Sequence, residues 1–149
     1  MNTNAQTLGA TLGKAGLDPA RTYYAFDFWG NSLLPDITNR FTYELPPTSC
    51  KIIAVRAAEG RPVLLGTSRH VTQGIVDVTG EKWSGNTLSG VSQVIAGDTY
   101  ELRIRVPAGW KLDQASAPAT ESPGLVRITL RSDKTQKLKW SANFRPPPN

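Results

Sequence analysis

Hydrophobic and polar residues alternate with a period of two in several segments of the chain. Successive side chains of a β-strand point to opposite faces, so this alternation predicts strands with one buried and one solvated face. The clearest runs are residues 41–45, 100–106, 126–131 and 138–144. Further strands are predicted at residues 50–58, 62–69, 75–83 and 87–95.

The segment Tyr23–Trp29 departs from this alternation because both of its predicted faces are largely apolar. Such a pattern is typical of a central strand that is covered on both faces, or of a strand that presents a surface to a partner. With this segment the chain has about nine short predicted strands, separated by turns rich in glycine and proline, and no long helical pattern. The predicted fold class is therefore all-β, an antiparallel β-sandwich.

The length of 149 residues suits one domain and is too short for a (β/α)₈ barrel, which needs about 250 residues. Residues 1–20 are small and polar and predict a flexible linker or tail with one short helical turn. The β-sandwich domain is predicted over residues 21–145. Residues 146–149 form a proline-rich tail, which cannot extend a hydrogen-bonded ladder.

Several classes of site are excluded by composition. Cys50 is the only cysteine, so the chain has no internal disulfide, and one cysteine with one histidine cannot form a zinc site alone. The sequence has no phosphate-binding loop and no dinucleotide fingerprint, and we expect neither a cofactor nor a metal. It also has no signal peptide and no apolar run of about 18 residues that would span a membrane, so no membrane partner is expected and the compartment stays open.

The net charge of +5 is concentrated near the end of the chain. Between Arg127 and Arg145 there are six basic residues and one acidic residue, which equals the whole excess. A patch for nucleic acid or another polyanion is one interpretation. The basic residues alternate with apolar ones, however, as they do on solvated strand faces that discourage edge pairing. We favour that second interpretation and expect no nucleic-acid partner.

A candidate polar cluster lies in the segment Gly66–Gly74, which contains Arg69 beside the only histidine, His70. A guanidinium offers five donors in a rigid fork, and an imidazole can bridge a carbonyl and an acid. We predict a structural or interdomain polar cluster of Arg69, His70 and Asp27 at a strand end. Contact with a partner domain and direct contact with a sugar are the alternatives.

No catalytic constellation is predicted. A hydrolase built on Ser68 and His70 would need an acid such as Asp77 or Asp27, and the nucleophile-elbow motif is absent. Glycoside hydrolysis needs two carboxylates about 5–10 Å apart. No spacing in the sequence indicates that any two of the acidic residues lie that close together. We therefore expect that this chain alone is not an enzyme.

Exposed aromatic rings are candidate contacts for carbohydrate or a partner, because the C–H face of a sugar stacks on an indole. The candidates are Trp29, Trp83 and Trp110. Trp110 follows the turn Pro107–Gly109 and is best placed to be exposed. Trp140 lies on the apolar side of its strand and is expected in the core.

The order of several segments resembles the C-terminal β-sandwich domain of α-galactosidase-like (melibiase-type) glycoside hydrolases. The likeness spans about residues 15–110 and extends more weakly to Phe144. Order and spacing carry the likeness rather than any one motif. The segments are Ala15–Asp18, Tyr23–Trp29, Leu45–Cys50, Ile52–Arg56, Leu65–Gly74, Trp83, Thr87–Gly90 and Tyr100–Pro107.

In such enzymes the catalytic aspartates lie on a preceding barrel, and the sandwich packs against it and stabilises it. The resemblance therefore implies a non-catalytic accessory domain whose partner is the barrel, and no catalytic residue carries over to this chain. An independent carbohydrate-binding module that stacks sugars on exposed aromatics is the first alternative. A stand-alone protein with an unrelated role is the second.

Overall fold

The computed structural model describes residues 4–69 and 72–148 and shows an all-β chain. All strand pairs are antiparallel, and one short 3₁₀ helix spans Gly13–Ala15. The strands are β1 (Gln6–Thr11), β2 (Tyr23–Asp27), β3 (Ser32–Ile37), β4 (Arg40–Leu45), β5 (Ile53–Ala57), β6 (Val63–Thr67), β7 (Val78–Ser84), β8 (Thr87–Val94), β9 (Tyr100–Arg105), β10 (Lys111–Ala115), β11 (Ala119–Ser122), β12 (Leu125–Leu130) and β13 (Gln136–Arg145).

The all-β, antiparallel prediction is confirmed, but the predicted count of about nine strands was wrong, because the described residues form thirteen. The four additional strands are β1, β3, β10 and β11. Strands β3, β10 and β11 lie at sheet edges, and β1 belongs to a two-stranded sheet. Most of their side chains are exposed or half-buried, so their sequences lack the apolar alternation that reveals an inner strand.

The chain divides into two compact units, Met1–Ala58 and Glu59–Asn149. This division differs from the predicted one, a tail over residues 1–20 followed by a single domain over 21–145. Strand β1 pairs with β4, with Gln6 opposite Leu45 and Thr11 opposite Arg40, and Leu12 is fully buried directly after it. Residues 6–12 therefore belong to the first unit through a hydrogen-bonded ladder and one core leucine.

The first unit contains two small sheets, with strand order β3-β2-β5 in one and β1-β4 in the other. Strand β2 is central in its sheet and all five of its residues are buried, in agreement with the two apolar faces of its sequence. One core cluster of this unit contains Leu12, Tyr23, Ala25 and Ile37.

The second unit is sandwich-like. Its two four-stranded sheets have the orders β10-β13-β8-β7 and β11-β12-β9-β6, and the apolar faces of both contribute to one core. One sheet provides Leu64, Leu102, Ile104, Val126, Ile128 and Leu130, and the other provides Val78, Leu88, Val94, Trp140, Ala142 and Phe144.

Trp140 lies in this core, as its place in the alternation predicted, and its indole N–H donates to Ser92 Oγ at 2.9 Å. Gly90 lies directly opposite it in the β8–β13 register. A Cβ atom on Gly90 would lie 2.7 Å from Trp140 Cζ2, inside van der Waals contact. The ring is buried and hydrogen-bonded, so it has little room to move aside.

We expect Gly90→Ala to destabilise the second unit by about 1–3 kcal/mol through overpacking against Trp140. Urea denaturation followed by tryptophan fluorescence measures the change. The matched control is Ser89→Ala in the same strand, a half-buried residue whose hydroxyl makes only a long 3.5 Å contact with the Lys82 carbonyl. That change should stay within about 0.5 kcal/mol. Equal stability of the two variants would contradict this close packing of Trp140 on Gly90.

Candidate functional site

A buried carboxylate, Asp77, organises the turn over residues 72–77 that precedes β7. Its Oδ2 accepts hydrogen bonds from Thr67 Oγ1 at 2.9 Å and from the Tyr100 hydroxyl at 2.5 Å. Its Oδ1 accepts from Thr72 Oγ1 at 2.6 Å and from the Gly74 amide at 2.8 Å. This set of four donors around one carboxylate, which we call the Asp77 clamp, fixes the turn on strands β6 and β9.

Asp77 and Tyr100 in the clamp keep their charge states at neutral pH. Burial raises the pKa of Asp77, but the hydrogen bonds from Thr72, Tyr100 and Thr67 outweigh it, and the pKa lies below its usual value. Burial and the hydrogen bond to Asp77 raise the pKa of Tyr100. The carboxyl group therefore stays ionised and the phenol stays protonated, so the pair acts as a fixed acceptor and donor.

The turn that the clamp holds exposes two apolar side chains. Ile75 is 79% exposed and Val76 is 69% exposed. The turn is also tied internally, because the Ile75 amide donates to the Thr72 carbonyl at 2.8 Å and Gly74 adopts a φ of +97°. The predicted strand over 75–83 therefore begins three residues later than expected, because residues 75–77 belong to the turn.

Arg69 lies just after β6, where its guanidinium contacts the second unit's own residues. Its Nη1 donates to Asp98 Oδ2 at 2.9 Å, and the group lies 5.5 Å from the centre of the Tyr100 ring. Its Nη2 is buried and has no hydrogen-bond partner among the described residues. The predicted cluster joined Arg69 to His70, which lies outside the described residues, and to Asp27, which belongs to the first unit.

Asp27 forms a second centre at the end of β2. Its Oδ1 accepts the Gly30 amide at 3.0 Å, and its Oδ2 forms an ion pair with Lys51, whose ammonium lies 5.9 Å from the centre of the Tyr43 ring. Burial raises the pKa of Asp27, yet the contacts with Lys51 and Gly30 hold it below its usual value. A Cβ atom on Gly30 would lie 2.9 Å from Asp27 Oδ2, so a larger residue here would displace the Asp27 carboxylate.

Trp29 lies within this turn and is 57% exposed. Its ring meets Phe28 edge to face, with centroids 4.9 Å apart and planes at 84°. Trp29 also lines an open cleft of about 580 Å³, which we call the Trp29 cleft. The structure thus brings Asp27 and Trp29, two residues singled out separately in the sequence, to one site. The cleft is lined by Ala5, Asp27, Trp29, Gly30, Glu44, Leu45, Pro46, Pro47, Ser49, Cys50 and Lys51.

Trp83 and Trp110 meet each other in the second unit. Their rings are edge to face with centroids 5.7 Å apart, and the Arg61 guanidinium lies 4.9 Å from the Trp83 ring. The Trp110 indole N–H donates to the Gly60 carbonyl at 3.0 Å. Both rings are half-buried against the core. Trp110 is therefore less exposed than its place in the sequence suggested, because it packs against the core and its N–H has a partner.

Sequence reasoning missed most donors of the Asp77 clamp. The spacing of Thr72, Gly74 and Asp77 is a local signal, because hydroxyl and glycine amide groups often converge on a nearby carboxylate in turns. Thr67 and Tyr100 carry no such signal. Their approach to Asp77 depends on the β6–β9 register, in which Thr67 pairs with Leu102.

Other kinds of site are not seen in the part of the chain that the structure describes. Over residues 4–69 and 72–148, no three histidine, cysteine, aspartate or glutamate side chains come together as a metal ion would need. No helix among these residues is long and apolar enough to cross a membrane. No family model, curated protein or solved structure matches the chain.

We expect Asp77→Asn to destabilise the protein by about 1.5–3 kcal/mol at pH 7, since hydrogen bonds to an ionised acceptor are lost. The folded-state pKa of Asp77 lies below the unfolded value of about 3.9, so its ionised form stabilises the fold above about pH 4. That contribution disappears as the pH falls through the folded-state pKa. Urea denaturation of both proteins between pH 7 and pH 2 should show the difference shrinking in the acid range.

The matched control for this prediction is Asp98→Asn, which changes a half-exposed carboxylate near the same strand ends. A surface ion pair contributes little, so this variant should lose about 1 kcal/mol or less. The clamp is contradicted if the difference in unfolding free energy between Asp77→Asn and the unmodified chain does not shrink as the pH falls.

Proposed function

We propose that this chain is a non-catalytic accessory domain of an α-galactosidase-like glycoside hydrolase, which docks on the catalytic barrel and stabilises it. The observation that carries the proposal is the exposure of Ile75 and Val76 on the turn held by the Asp77 clamp. Single apolar residues on a surface need no explanation, but two adjacent and largely exposed aliphatic side chains on a fixed turn favour a contact surface.

The residues that hold this turn support a barrel as the partner, because they also carry part of the resemblance. The segment Leu65–Gly74, which carries part of the resemblance, supplies three of the four donors of the clamp. The residues that resemble the accessory domain are thus the ones that hold the exposed pair in place. A turn that is already ordered loses little conformational entropy on docking, which favours binding through a small apolar surface.

The state of the buried carboxylates supports a role without catalysis. A glycosidase needs a general acid whose pKa is raised so that it keeps a proton near neutral pH. Asp27 and Asp77 instead have lowered pKa values, because each is held by donors or a cation. Neither of these two carboxyl groups is suited to protonate a leaving group.

The test uses catalytic barrels of several α-galactosidase-like enzymes from which the C-terminal domain has been removed. We expect the full chain to bind at least one barrel in calorimetry and to raise the temperature at which that barrel loses activity. The double variant Ile75→Ser/Val76→Ser should abolish both effects, because it removes the apolar contact and leaves the clamp residues unchanged. The chain alone should not hydrolyse a chromogenic galactoside.

Two comparisons make this test decisive. Leu8→Ser changes an exposed apolar residue of the first unit and should leave barrel binding unchanged. Each barrel's own C-terminal domain, added separately, shows whether the truncated barrel can be stabilised at all. The proposal fails if barrels respond to their own domains but none responds to this chain, or if the double variant binds as well as the unmodified chain.

A further inference from the structure

We infer that the Trp29 cleft of the first unit binds a neutral hexopyranose unit of a glycan. The sugar would stack its C–H face on the Trp29 indole and exchange hydrogen bonds with Glu44 and Lys51. This inference goes beyond the docking role and does not depend on it, since it concerns a different unit and different residues.

The stacking surface is prepared by the turn at the end of β2. Trp29 exposes more than half of its surface, and its ring is supported edge to face by Phe28 at 4.9 Å. The Gly30 amide bonded to Asp27 holds the backbone on either side of the ring. Indole rings offer a large apolar surface with few rotatable bonds, so stacking on a supported ring orders little of the protein.

The polar groups of the cleft match a hydroxyl-rich ligand. Lys51 is a donor whose side chain is 26% exposed and is positioned by its ion pair with Asp27. Glu44 is an exposed acceptor on β4. A sugar hydroxyl both donates and accepts, so it can bridge an ammonium and a carboxylate. A few placed polar groups beside an aromatic surface are typical of small-ligand sites.

The charge of the lining favours a neutral sugar. The cleft contains two carboxylates, Asp27 and Glu44, and one ammonium, Lys51, which Asp27 already neutralises. Glu44 has no ion-pair partner among the described residues and adds a negative charge to the lining. The carboxylate of a uronic acid would be repelled there, whereas a hydroxymethyl group would not.

The size and shape of the cleft suit one sugar unit within a longer glycan. Its volume of about 580 Å³ falls in the range of about 300–1,000 Å³ that small-ligand sites occupy. The cleft is open to solvent, so the neighbouring units of a chain could extend past Trp29 without entering the protein.

The test is a titration of the full ¹⁵N-labelled chain with the methyl glycosides of galactose, glucose and mannose, and with galacturonate as the matched acid. One indole N–H signal should shift and saturate with at least one neutral glycoside, and it should be the signal that is missing from Trp29→Phe. We expect Trp29→Ala to weaken binding about tenfold or more, as the loss of a central aromatic contact does. Trp29→Phe should retain part of the affinity, because it keeps a ring.

Charge selection supplies a second readout. Galacturonate should bind about tenfold more weakly than the galactoside, or not detectably, and Glu44→Gln should reduce this difference. The variant Ile75→Ser/Val76→Ser should leave glycoside binding unchanged, so failure of the docking role and failure of this inference can be told apart. The inference is overturned if no neutral glycoside gives a saturable shift, if Trp29→Ala binds normally, or if galacturonate binds as tightly as the galactoside.

Discussion

The second unit depends on a buried negative charge, the carboxylate of Asp77. Taking a carboxylate out of water costs several kcal/mol unless donors replace the lost hydration, and here Thr67, Thr72, Gly74 and Tyr100 do so. Thr67 and Tyr100 belong to one sheet of the sandwich, whereas the backbone carbonyl of Asp77 accepts the Gln93 amide of the other sheet at 2.8 Å. A single residue thus ties both sheets to one turn.

The first unit repeats this device on a smaller scale. In each unit a buried aspartate accepts the amide of a glycine three positions away, Gly30 for Asp27 and Gly74 for Asp77. The residues enclosed by that hydrogen bond include exposed apolar side chains, Trp29 in one turn and Ile75 with Val76 in the other. Apolar side chains in flexible loops lose conformational entropy on binding, and a carboxylate that holds the loop reduces this loss. The same contact therefore stabilises the fold and presents the residues that we propose for recognition.

The sequence predicted β9, β12 and β13 because burial of one face imposes alternation on them. It did not predict β1, β3, β10 and β11, which pair through backbone hydrogen bonds and keep most side chains exposed or half-buried. Residues 6–12 looked like a linker for this reason, since Leu12 is their only fully buried side chain. The geometry of the candidate sites was not predicted either, because it depends on how distant segments pair. The exposure of Trp29 and the ion pair of Asp27 with Lys51 arise from the turn and from β2–β5 pairing, which no local pattern encodes.

The hydrogen bonds and the ion pair that hold Asp27 and Asp77 also determine which chemistry these two buried acids can perform. A carboxyl group that transfers protons needs a pKa near the working pH and at least one oxygen free to meet the substrate. Both oxygens of Asp77 are taken up by protein donors, and so are both oxygens of Asp27. The donors that make these charges tolerable in the interior are the ones that lower their pKa values. An aspartate held in this way serves as a structural anchor rather than as a proton-transfer group.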